Sequence, residues 1–222
     1  MPRITALLFD IDGTLVDSND FHVTAWQEVF SEAGHEFPRE LIHGQVGKGG
    51  DNLLPGLLPD LSEEEQEAIA QKHGPRYQER YIGRVRPFPG ARDLLARAKQ
   101  DGLKVALATS ANPEELDHYV ELLDAADLID VTTSKGDVEA TKPAPDIFAA
   151  AVKKAGVAPE QALVIGDTPY DVLAARRAGV GALGLLSGGF PEEDLRAAGA
   201  VAVYRDAADL LAQWDSSPIK TV

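Results

Sequence analysis

The chain has 222 residues, 44% of them hydrophobic and none of them cysteine, so it can bury a substantial core but excludes disulfide and thiol chemistry. Its 36 acidic and 21 basic residues give a net charge of -15, which argues against nucleic acid and anionic membrane surfaces as partners. Residues 1–5 are too few for a signal peptide and no apolar stretch reaches membrane-spanning length, so we expect a cytoplasmic protein that is by default a monomer.

The first predicted element is a buried strand over residues 4–9, a nearly unbroken apolar run. It leads into Asp10-Ile11-Asp12-Gly13-Thr14, which puts two carboxylates at the end of the strand where open α/β sheets bind ligands. A single aspartate there could simply cap a helix. However, a second acidic cluster, Gly166-Asp167-Thr168-Pro169-Tyr170-Asp171, follows another apolar run over 162–165. Two strand ends that carry carboxylates favour a shared site for a hard cation.

A mostly helical block of about seventy residues follows the first strand, which is too long for an ordinary loop. Apolar residues at helical spacing predict a helix over 17–34, and the composition of 43–51 predicts a flexible, glycine-rich segment. A further helix begins after Ser62, an N-cap whose capping box Glu65 completes. The Pro and Gly residues of 87–90 then break the chain.

Beyond this break, helices and strands alternate. Helices are predicted over 91–99, 113–123, 145–155, 170–178 and 207–214, and strands over 104–108, 131–133, 162–165, 180–185 and 200–203. Such alternation predicts an α/β fold with a doubly wound parallel sheet that is covered on both faces. We therefore expect a Rossmann-like core domain over 1–15 and 85–222, with a helical cap domain over 16–84 inserted after the first strand.

Two further segments bring a hydroxyl and a lysine to the same predicted edge of the sheet. Thr109 and Ser110 follow the strand over 104–108, and either could be the functional hydroxyl, with Thr109 preferred. Lys142 lies in a Thr-Lys-Pro segment directly before a helix, a setting unlike that of an ordinary surface lysine. Carboxylates, a hydroxyl and a lysine suit phosphoryl transfer, because that reaction depends on positioning and charge neutralisation.

These motifs, in this order, resemble those of the haloacid dehalogenase superfamily, in the branch with a helical cap after the first strand. The resemblance spans nearly the whole chain, and its Asp-x-Asp-Gly-Thr segment is highly specific. It implies that Asp10 is the nucleophile that forms an aspartyl phosphate, and that Asp12 is the general acid and then the base. It also implies that Thr109 holds the transferring phosphoryl group and that Lys142 neutralises this group and orients Asp10.

The resemblance further implies Mg²⁺ as cofactor and a small phosphorylated metabolite as substrate. The side chain of Asp10, the backbone carbonyl of Asp12 and Asp167 would hold the ion. Asp171 would act through a metal-bound water or an outer contact, although it could instead only cap the following helix.

The cap is expected to supply substrate specificity, through His22 and Lys48, together with Ser110 from the core. His22 and Trp26 share a helix face, although Trp26 could equally pack against a neighbouring cap helix. Lys48 lies among glycines that let the backbone approach a ligand, but this segment could also be an ordinary mobile loop. Three arginines, Arg76, Arg80 and Arg84, are expected to form a solvated helix face.

The leading hypothesis is a magnesium-dependent phosphatase. Its rival is a sugar phosphomutase, because the His22–Trp26 pattern and residues 142–148 resemble beta-phosphoglucomutase relatives. Gly166 before Asp167 is instead more typical of phosphoglycolate-phosphatase-like members, and the cap loop has Gly47-Lys48 where the mutases usually have a Ser-Arg pair. A haloacid dehalogenase is disfavoured, because it needs neither Asp12 nor magnesium. A phospho-receiver module, the non-enzyme alternative, needs no leaving-group acid and no cap.

Overall fold

The computed structural model of the protein describes residues 3–220 and contains one sheet of six parallel strands. The strands follow the spatial order β3-β2-β1-β4-β5-β6. They are β1 (Ala6–Phe9), β2 (Lys104–Ala108), β3 (Val131–Thr133), β4 (Ala162–Gly166), β5 (Gly181–Leu185) and β6 (Ala202–Tyr204). The predicted doubly wound α/β fold is confirmed.

Residues 3–220 form ten α-helices, and four of them lie in the block that follows β1. These four are α1 (Asn19–Glu32), α2 (Arg39–His43), α3 (Gly50–Leu57) and α4 (Glu63–Arg80). The others are α5 (Ala91–Gln100), α6 (Pro113–Leu122), α7 (Asp146–Ala155), α8 (Pro169–Arg177), α9 (Glu192–Ala198) and α10 (Ala207–Ala212). None of the ten combines the length and apolarity needed to cross a membrane.

Three helices, α2, α3 and α9, differ from the predicted pattern. The segment 43–51, expected to be flexible and glycine-rich, contains the end of α2 and the start of α3. Helix α3 forms despite Pro55 and Gly56 because it buries Leu53 and Leu54 among the other cap helices. Helix α9 is an addition to the predicted elements, with three acidic residues in its first turn and a glycine at its end.

The apolar core forms on both faces of the sheet. Successive residues of β1 alternate between two clusters: Leu7 and Phe9 pack in one, and Ala6 and Leu8 in the other. A third cluster lies within α1 to α4 and is formed by residues between positions 23 and 69. Truncating a buried residue such as Leu8 to alanine should cost about 2–5 kcal/mol of stability.

The helical block therefore has apolar packing of its own. The predicted boundaries of the cap at 16 and 84 stay a prediction. The ends of the predicted core, residues 1–2 and 221–222, lie outside the described residues.

Register between the central strands positions the site. Phe9 of β1 pairs with Leu107 of β2 on one side and with Ile165 of β4 on the other. The segments that follow these three strands therefore emerge side by side at one edge of the sheet. The cap helices contact the core at this same edge, through hydrogen bonds described below.

Candidate active site

Buried carboxylates meet one lysine at this sheet edge. Oxygens of Asp10, Asp167 and Asp171 lie within 4.8 Å of one another, and all three side chains are buried. Lys142, which is 1% exposed, places its Nζ 2.6 Å from Asp10 Oδ1 and 2.7 Å from Asp171 Oδ1. A single ammonium group therefore contacts two of the three carboxylates.

The electrostatics of this cluster reflect a surplus of negative charge. Burial raises the pKa of Asp10 well above its usual range; Lys142 lowers it, and the neighbouring carboxylates raise it further. Burial and Asp171 raise the pKa of Asp167 to about 7, against the opposing hydrogen bonds that it accepts. Burial alone would lower the pKa of Lys142, but Asp10 and Asp171 raise it above its usual value. A divalent cation on these oxygens would balance the excess charge, and hard oxygen ligands suit Mg²⁺.

Asp167 is held in place by residues that the sequence did not single out. Thr14 Oγ1 donates to its Oδ1 at 2.8 Å, and Asn19 Nδ2 donates to its Oδ2 at 2.9 Å. Asn19 also donates to the carbonyl of Gly188 at 3.2 Å. A Cβ on Gly188 would lie 1.7 Å from Asp167 Oδ2, so only glycine leaves room for this carboxylate.

Asp171 both caps a helix and contacts the site lysine. Its Oδ2 accepts hydrogen bonds from the backbone N (3.0 Å) and the hydroxyl (2.7 Å) of Thr168 at the start of α8. Its Oδ1 faces Lys142. Because both oxygens already have protein partners, this geometry suits an outer contact to a metal better than direct coordination. A Cβ at Gly166 would lie 2.5 Å from the Asp171 Cβ, which explains the glycine before Asp167.

Asp12 accepts three hydrogen bonds on one oxygen. Ser18 Oγ lies 2.6 Å, Tyr119 OH 2.9 Å and His22 Nε2 3.1 Å from its Oδ1. Burial raises the pKa of Asp12, but the charge of His22 and these hydrogen bonds together lower it to about 2. Burial lowers the pKa of His22, yet Asp12 raises it above its usual value overall. Asp12 is therefore favoured as the carboxylate, and its charge favours the protonated form of the His22 imidazole.

Packing fixes the His22 ring against Asp12. The His22 ring stacks on the Tyr77 ring, with centroids 3.8 Å apart. The His73 ring also stacks on it, with centroids 5.3 Å apart. Tyr77 OH and Tyr119 OH are 2.5 Å apart, which joins α4 to α6. His22 thus lies on the cavity wall, as expected for substrate binding, but the partner of its Nε2 is Asp12. Trp26 stacks on His73 at 4.1 Å, which agrees with its packing alternative.

One cavity of about 250 Å³ brings most of the predicted residues together. It is lined by Asp10, Asp12, Thr109, Ser110 and Lys142 from the core, and by His22 and Lys48 from the cap. Asp167 and Asp171 are fully buried and are not among the lining residues. The cavity therefore opens on the proposed nucleophile, with the acidic cluster continuing below its surface.

The two candidate hydroxyls differ in their hydrogen bonds. Thr109 is 1% exposed, and its Oγ1 accepts from the backbone N of Ala111 at 3.1 Å. Ser110 Oγ is buried and has no hydrogen-bond partner within residues 3–220. Both line the cavity, so the preference for Thr109 stays a prediction.

The cap loop around Lys48 packs against the core. Lys48 Nζ donates to Gln45 Oε1 at 2.6 Å and lies 4.5 Å above the Tyr170 ring. A Cβ at Gly47 would come within 2.6 Å of Thr168 Cγ2, so glycine permits this close approach. These contacts position Lys48 on the cavity wall and disfavour the alternative of a mobile loop.

A second cap contact surrounds Thr141, the residue before Lys142. Gly49 N donates to Thr141 Oγ1 at 3.0 Å, and Asn52 Nδ2 donates to the Thr141 carbonyl at 3.2 Å. Asp51 accepts from the Thr141 hydroxyl at 2.5 Å and from the Thr141 backbone N at 3.1 Å. We call this set the Thr141 clasp. It fastens the cap to the segment that carries the site lysine.

The three cap arginines are engaged in contacts on the cap surface. Arg76 contacts Glu28 and Glu32 at 2.9 and 2.7 Å, and Arg80 contacts Glu28 at 3.0 Å. Arg84 lies 4.9 Å from the Phe21 ring centroid. None of the three lines the cavity. Arg76 and Arg80 stabilise the packing of α4 on α1, whereas Arg84 follows the end of α4.

Known proteins resemble this chain in sequence and in fold. A family model described as haloacid dehalogenase-like hydrolase matches residues 4–179. The phosphoglycolate phosphatase of Escherichia coli is 29% identical over 236 residues, covering 94% of this chain and 91% of that protein. The crystal structure of a hydrolase from Pseudomonas syringae has a TM-score of 0.89 at 36% identity, covering 96% of this chain and 98% of that chain.

A beta-phosphoglucomutase from Clostridium difficile also shares the fold, with a TM-score of 0.82 at 22% identity and 96% coverage of each chain. The predicted hydrolase class, with its resemblance to phosphoglycolate phosphatases, is confirmed, and a receiver module is not supported. The chain belongs to the haloacid dehalogenase-like hydrolase family.

Proposed function

We propose that this protein is a magnesium-dependent phosphatase that hydrolyses a small phosphorylated metabolite through an aspartyl-phosphate intermediate. The observation that carries the proposal is the buried contact of Lys142 with Asp10 and Asp171, at 2.6 and 2.7 Å, in the cavity that Asp12 also lines. A lysine held against a carboxylate nucleophile supplies the charge neutralisation that phosphoryl transfer requires. Relatives named phosphoglycolate phosphatase support the same reaction class.

The two steps would use the core residues in turn. First, a carboxylate oxygen of Asp10 attacks phosphorus, and the bond between phosphorus and the leaving oxygen breaks. Lys142 offsets the charge on the phosphoryl oxygens, and the Thr109 hydroxyl donates to one of them. Water then attacks phosphorus and gives its proton to Asp12. The bond between Asp10 and phosphorus breaks and releases inorganic phosphate.

The leaving oxygen needs a proton, yet the three donors on Oδ1 keep Asp12 ionised, with a pKa of about 2. Asp12 raises the pKa of His22, which favours the protonated form of that imidazole. We infer that His22 returns this proton through Asp12 as the leaving group departs. His22 would then support acid catalysis. The sequence had instead suggested that His22 holds the substrate.

The acidic cluster fits Mg²⁺ because it brings three buried carboxylates together, and the one lysine beside them contacts only Asp10 and Asp171. Asp10, Asp167 and the backbone carbonyl of Asp12 would hold the ion, with Asp171 in an outer contact through its interaction with Lys142. When bound, Mg²⁺ would neutralise negative charge on the phosphoryl group.

The test is the release of inorganic phosphate from p-nitrophenyl phosphate and from a panel of phosphorylated metabolites. We expect turnover with magnesium, loss of turnover on chelation and inhibition by excess calcium, whose looser coordination spoils the reacting geometry. Acid quenching during turnover should trap a phosphate on Asp10, detectable by peptide mass spectrometry. Full activity after chelation, or labelling of the protein without turnover, would contradict the proposal.

A sugar phosphomutase is the second candidate. It is favoured by the Thr141 clasp, because a cap fastened beside Lys142 restricts the entry of water, as a mutase requires. Conversion of beta-glucose 1-phosphate to the 6-phosphate, faster than any release of phosphate, would establish this alternative. We expect phosphate release instead, without a bisphosphate primer.

A further inference from the structure

The side chain of Asp12 is held by one of its two oxygens. Every side-chain hydrogen bond that it accepts from residues 3–220 goes to Oδ1, and the donors are Ser18, His22 and Tyr119. Asp12 lines the cavity, and its side chain is 16% exposed. Oδ2 is therefore the oxygen that is left to exchange a proton with the leaving group or with water.

Tyr119 differs from the other two donors in its place in the chain. Ser18 and His22 lie 6 and 10 residues after Asp12, directly before α1 and on α1 itself. Tyr119 lies 107 residues away on α6, the helix that follows β2 and Thr109. Of the three hydrogen bonds, the one from Tyr119 therefore ties Asp12 to the segment that carries the predicted phosphoryl-binding hydroxyl.

A second phenol fixes the hydroxyl of Tyr119. Tyr77 OH lies 2.5 Å from Tyr119 OH, and both side chains are fully buried. Tyr119 has one hydroxyl hydrogen and donates it to the carboxylate of Asp12, so the hydrogen between the two phenols belongs to Tyr77. Burial and the charge of Asp12 raise the pKa of Tyr119 above its usual value, which keeps that hydrogen on the phenol.

These side chains close a ring of contacts around the acid. The Tyr77 ring stacks on His22 with centroids 3.8 Å apart, and His22 Nε2 lies 3.1 Å from Asp12 Oδ1. Each of Asp12, His22, Tyr77 and Tyr119 thus contacts two others of the set. Leu116, one turn before Tyr119 on α6, packs in the same apolar cluster as both tyrosines. Because such a network is buried and satisfied, it restricts the carboxylate to one orientation.

We propose that Tyr119, with Tyr77 donating to it, positions Asp12 for proton transfer by fixing Oδ1 and leaving Oδ2 free for the proton. This inference rests on the proposed phosphatase function, since it assigns a positioning residue to the acid of that reaction. Tyr119 does not line the cavity, so it acts through Asp12 rather than on the substrate. Loss of its hydroxyl should therefore matter only where a proton has to be transferred.

The experiment compares two esters that differ in their need for a proton. p-Nitrophenyl phosphate releases a stable anion, whereas phenyl phosphate keeps the same ring and releases a far more basic one. For each ester kcat/KM is measured with magnesium, because this constant reports the steps up to loss of the leaving group. The variants are Tyr119→Phe and Tyr77→Phe. The double variant is added because Tyr119→Phe alone leaves the buried hydroxyl of Tyr77 without its acceptor.

The matched control is Tyr81→Phe. Tyr81 OH donates to the carboxylate of Glu28, and neither residue lines the cavity. This variant also removes a phenol that binds a carboxylate, so it tests the loss of such a bond away from the reacting atoms. Circular dichroism and urea denaturation follow the fold of every variant.

We expect Tyr119→Phe and the double variant to lower kcat/KM for phenyl phosphate about tenfold, a part of the 10²–10⁴-fold that general acid catalysis contributes. The value for p-nitrophenyl phosphate should be nearly unchanged. Tyr77→Phe keeps the donor on Asp12 and should lower the value for phenyl phosphate about threefold, the size of one modest hydrogen bond. Tyr81→Phe should keep the wild-type ratio of the two esters. In the Asp12→Asn background, Tyr119→Phe should no longer change that ratio, because it acts through Asp12.

Equal losses on both esters, or an unchanged ratio in Tyr119→Phe, would overturn this inference while leaving the phosphatase function standing. A faster reaction of phenyl phosphate would overturn it too, since the hydroxyl would then only lower the pKa of Asp12 and hold back its protonation. If Tyr119→Phe fails to fold, the double variant decides by the same ratio. Absence of magnesium-dependent hydrolysis of both esters by the wild type would contradict the proposed function and the inference with it.

Discussion

Two parts of the cavity wall differ in how their charged side chains are paired. At the reacting end, Lys142 lies within 2.7 Å of Asp10 and Asp171, and Asp167 accepts two hydrogen bonds from the chain itself. Elsewhere on the cavity wall, Lys48 and Lys135 have no carboxylate partner within residues 3–220, and Lys48 contacts the amide oxygen of Gln45. Groups that perform the same reaction on any substrate can be fixed in advance by the protein. Groups that determine substrate specificity must stay unpaired in the free protein, so that they can interact with the substrate when it binds.

We expect the largest effect from replacing Asp10, the proposed nucleophile at the reacting end. Asp10→Asn should lower turnover by at least about 10³-fold, because an amide cannot attack phosphorus usefully. Phosphate release measures the loss, and circular dichroism should show an intact fold. Residual activity above a few per cent would contradict the assignment of Asp10.

Asp12→Asn should distinguish leaving groups. The amide oxygen can still accept from Ser18 and Tyr119, so the side chain should keep its place while losing its proton transfer. General acid catalysis contributes about 10²–10⁴-fold, and the loss should be of that size for an alkyl phosphate. It should be far smaller for p-nitrophenyl phosphate, whose leaving group needs no proton. Equal losses on both esters would show that Asp12 is not the acid.

The buried pairing of Lys142 should also appear in stability. Lys142→Met leaves the carboxylates of Asp10 and Asp171 buried without their cation, which should cost about 3–5 kcal/mol of unfolding free energy. The matched control is Lys154→Met, which breaks the exposed pair with Asp137 and should cost at most about 1 kcal/mol. Urea denaturation measures both. Similar costs for the two variants would mean that the buried ion pairs of Lys142 contribute no more to the free energy of unfolding than an exposed pair does.

The residues of the reacting end could be predicted from the sequence, because each of them follows a recognisable strand or precedes a helix. Asp10 follows β1, Thr109 follows β2 and Asp167 follows β4, and parallel register then brings them together. Helix starts were equally readable: Asn112 and Ser62 cap α6 and α4 as predicted.

The supporting contacts were not accessible in the same way. Thr14 on Asp167, Tyr119 on Asp12 and Asp51 on Thr141 join residues 153, 107 and 90 positions apart. No local pattern encodes such pairings, since they depend on how the helices pack. Lys135 was missed for the same reason: it stands in a short turn, and its backbone N donates to the carbonyl of Ala111, another residue of the cavity wall.

A smaller effect should separate the two hydroxyls. Thr109 Oγ1 accepts from the backbone N of Ala111, which holds the hydroxyl in place and leaves its hydrogen free to donate to a phosphoryl oxygen. Thr109→Ala should therefore lower kcat about 100-fold, as expected for one lost donor to developing charge. Ser110→Ala should lower kcat about threefold, within the range of a single modest hydrogen bond. The reverse order of effects would transfer the predicted role to Ser110.

The smallest expected effect concerns magnesium and pH at the reacting end. The pKa of Asp167 in the folded protein is about 7, above its ordinary value of 3.8, because burial and Asp171 disfavour the charged form. The folded state therefore binds more protons than the unfolded state between these values, and this group lowers the stability of the metal-free protein as pH rises from about 4 to about 7. Magnesium requires the ionised carboxylate, so its stabilising effect should grow over the same range.

At 100 times its Kd, magnesium should contribute about 2.7 kcal/mol of stability, which corresponds to a rise in Tm of about 5–10 °C. We expect that rise at pH 8.0 and a clearly smaller one at pH 5.5, by differential scanning fluorimetry with magnesium against chelator. Asp167→Asn is the control: it should lack most of the magnesium effect and, without metal at pH 8.0, unfold at no lower temperature than the wild type, because it no longer buries this charge. The magnesium effect could instead be equal at both pH values, or it could survive in Asp167→Asn. Either result would place the ion elsewhere in the protein. The buried carboxylates at the reacting end would then lack their proposed counterion.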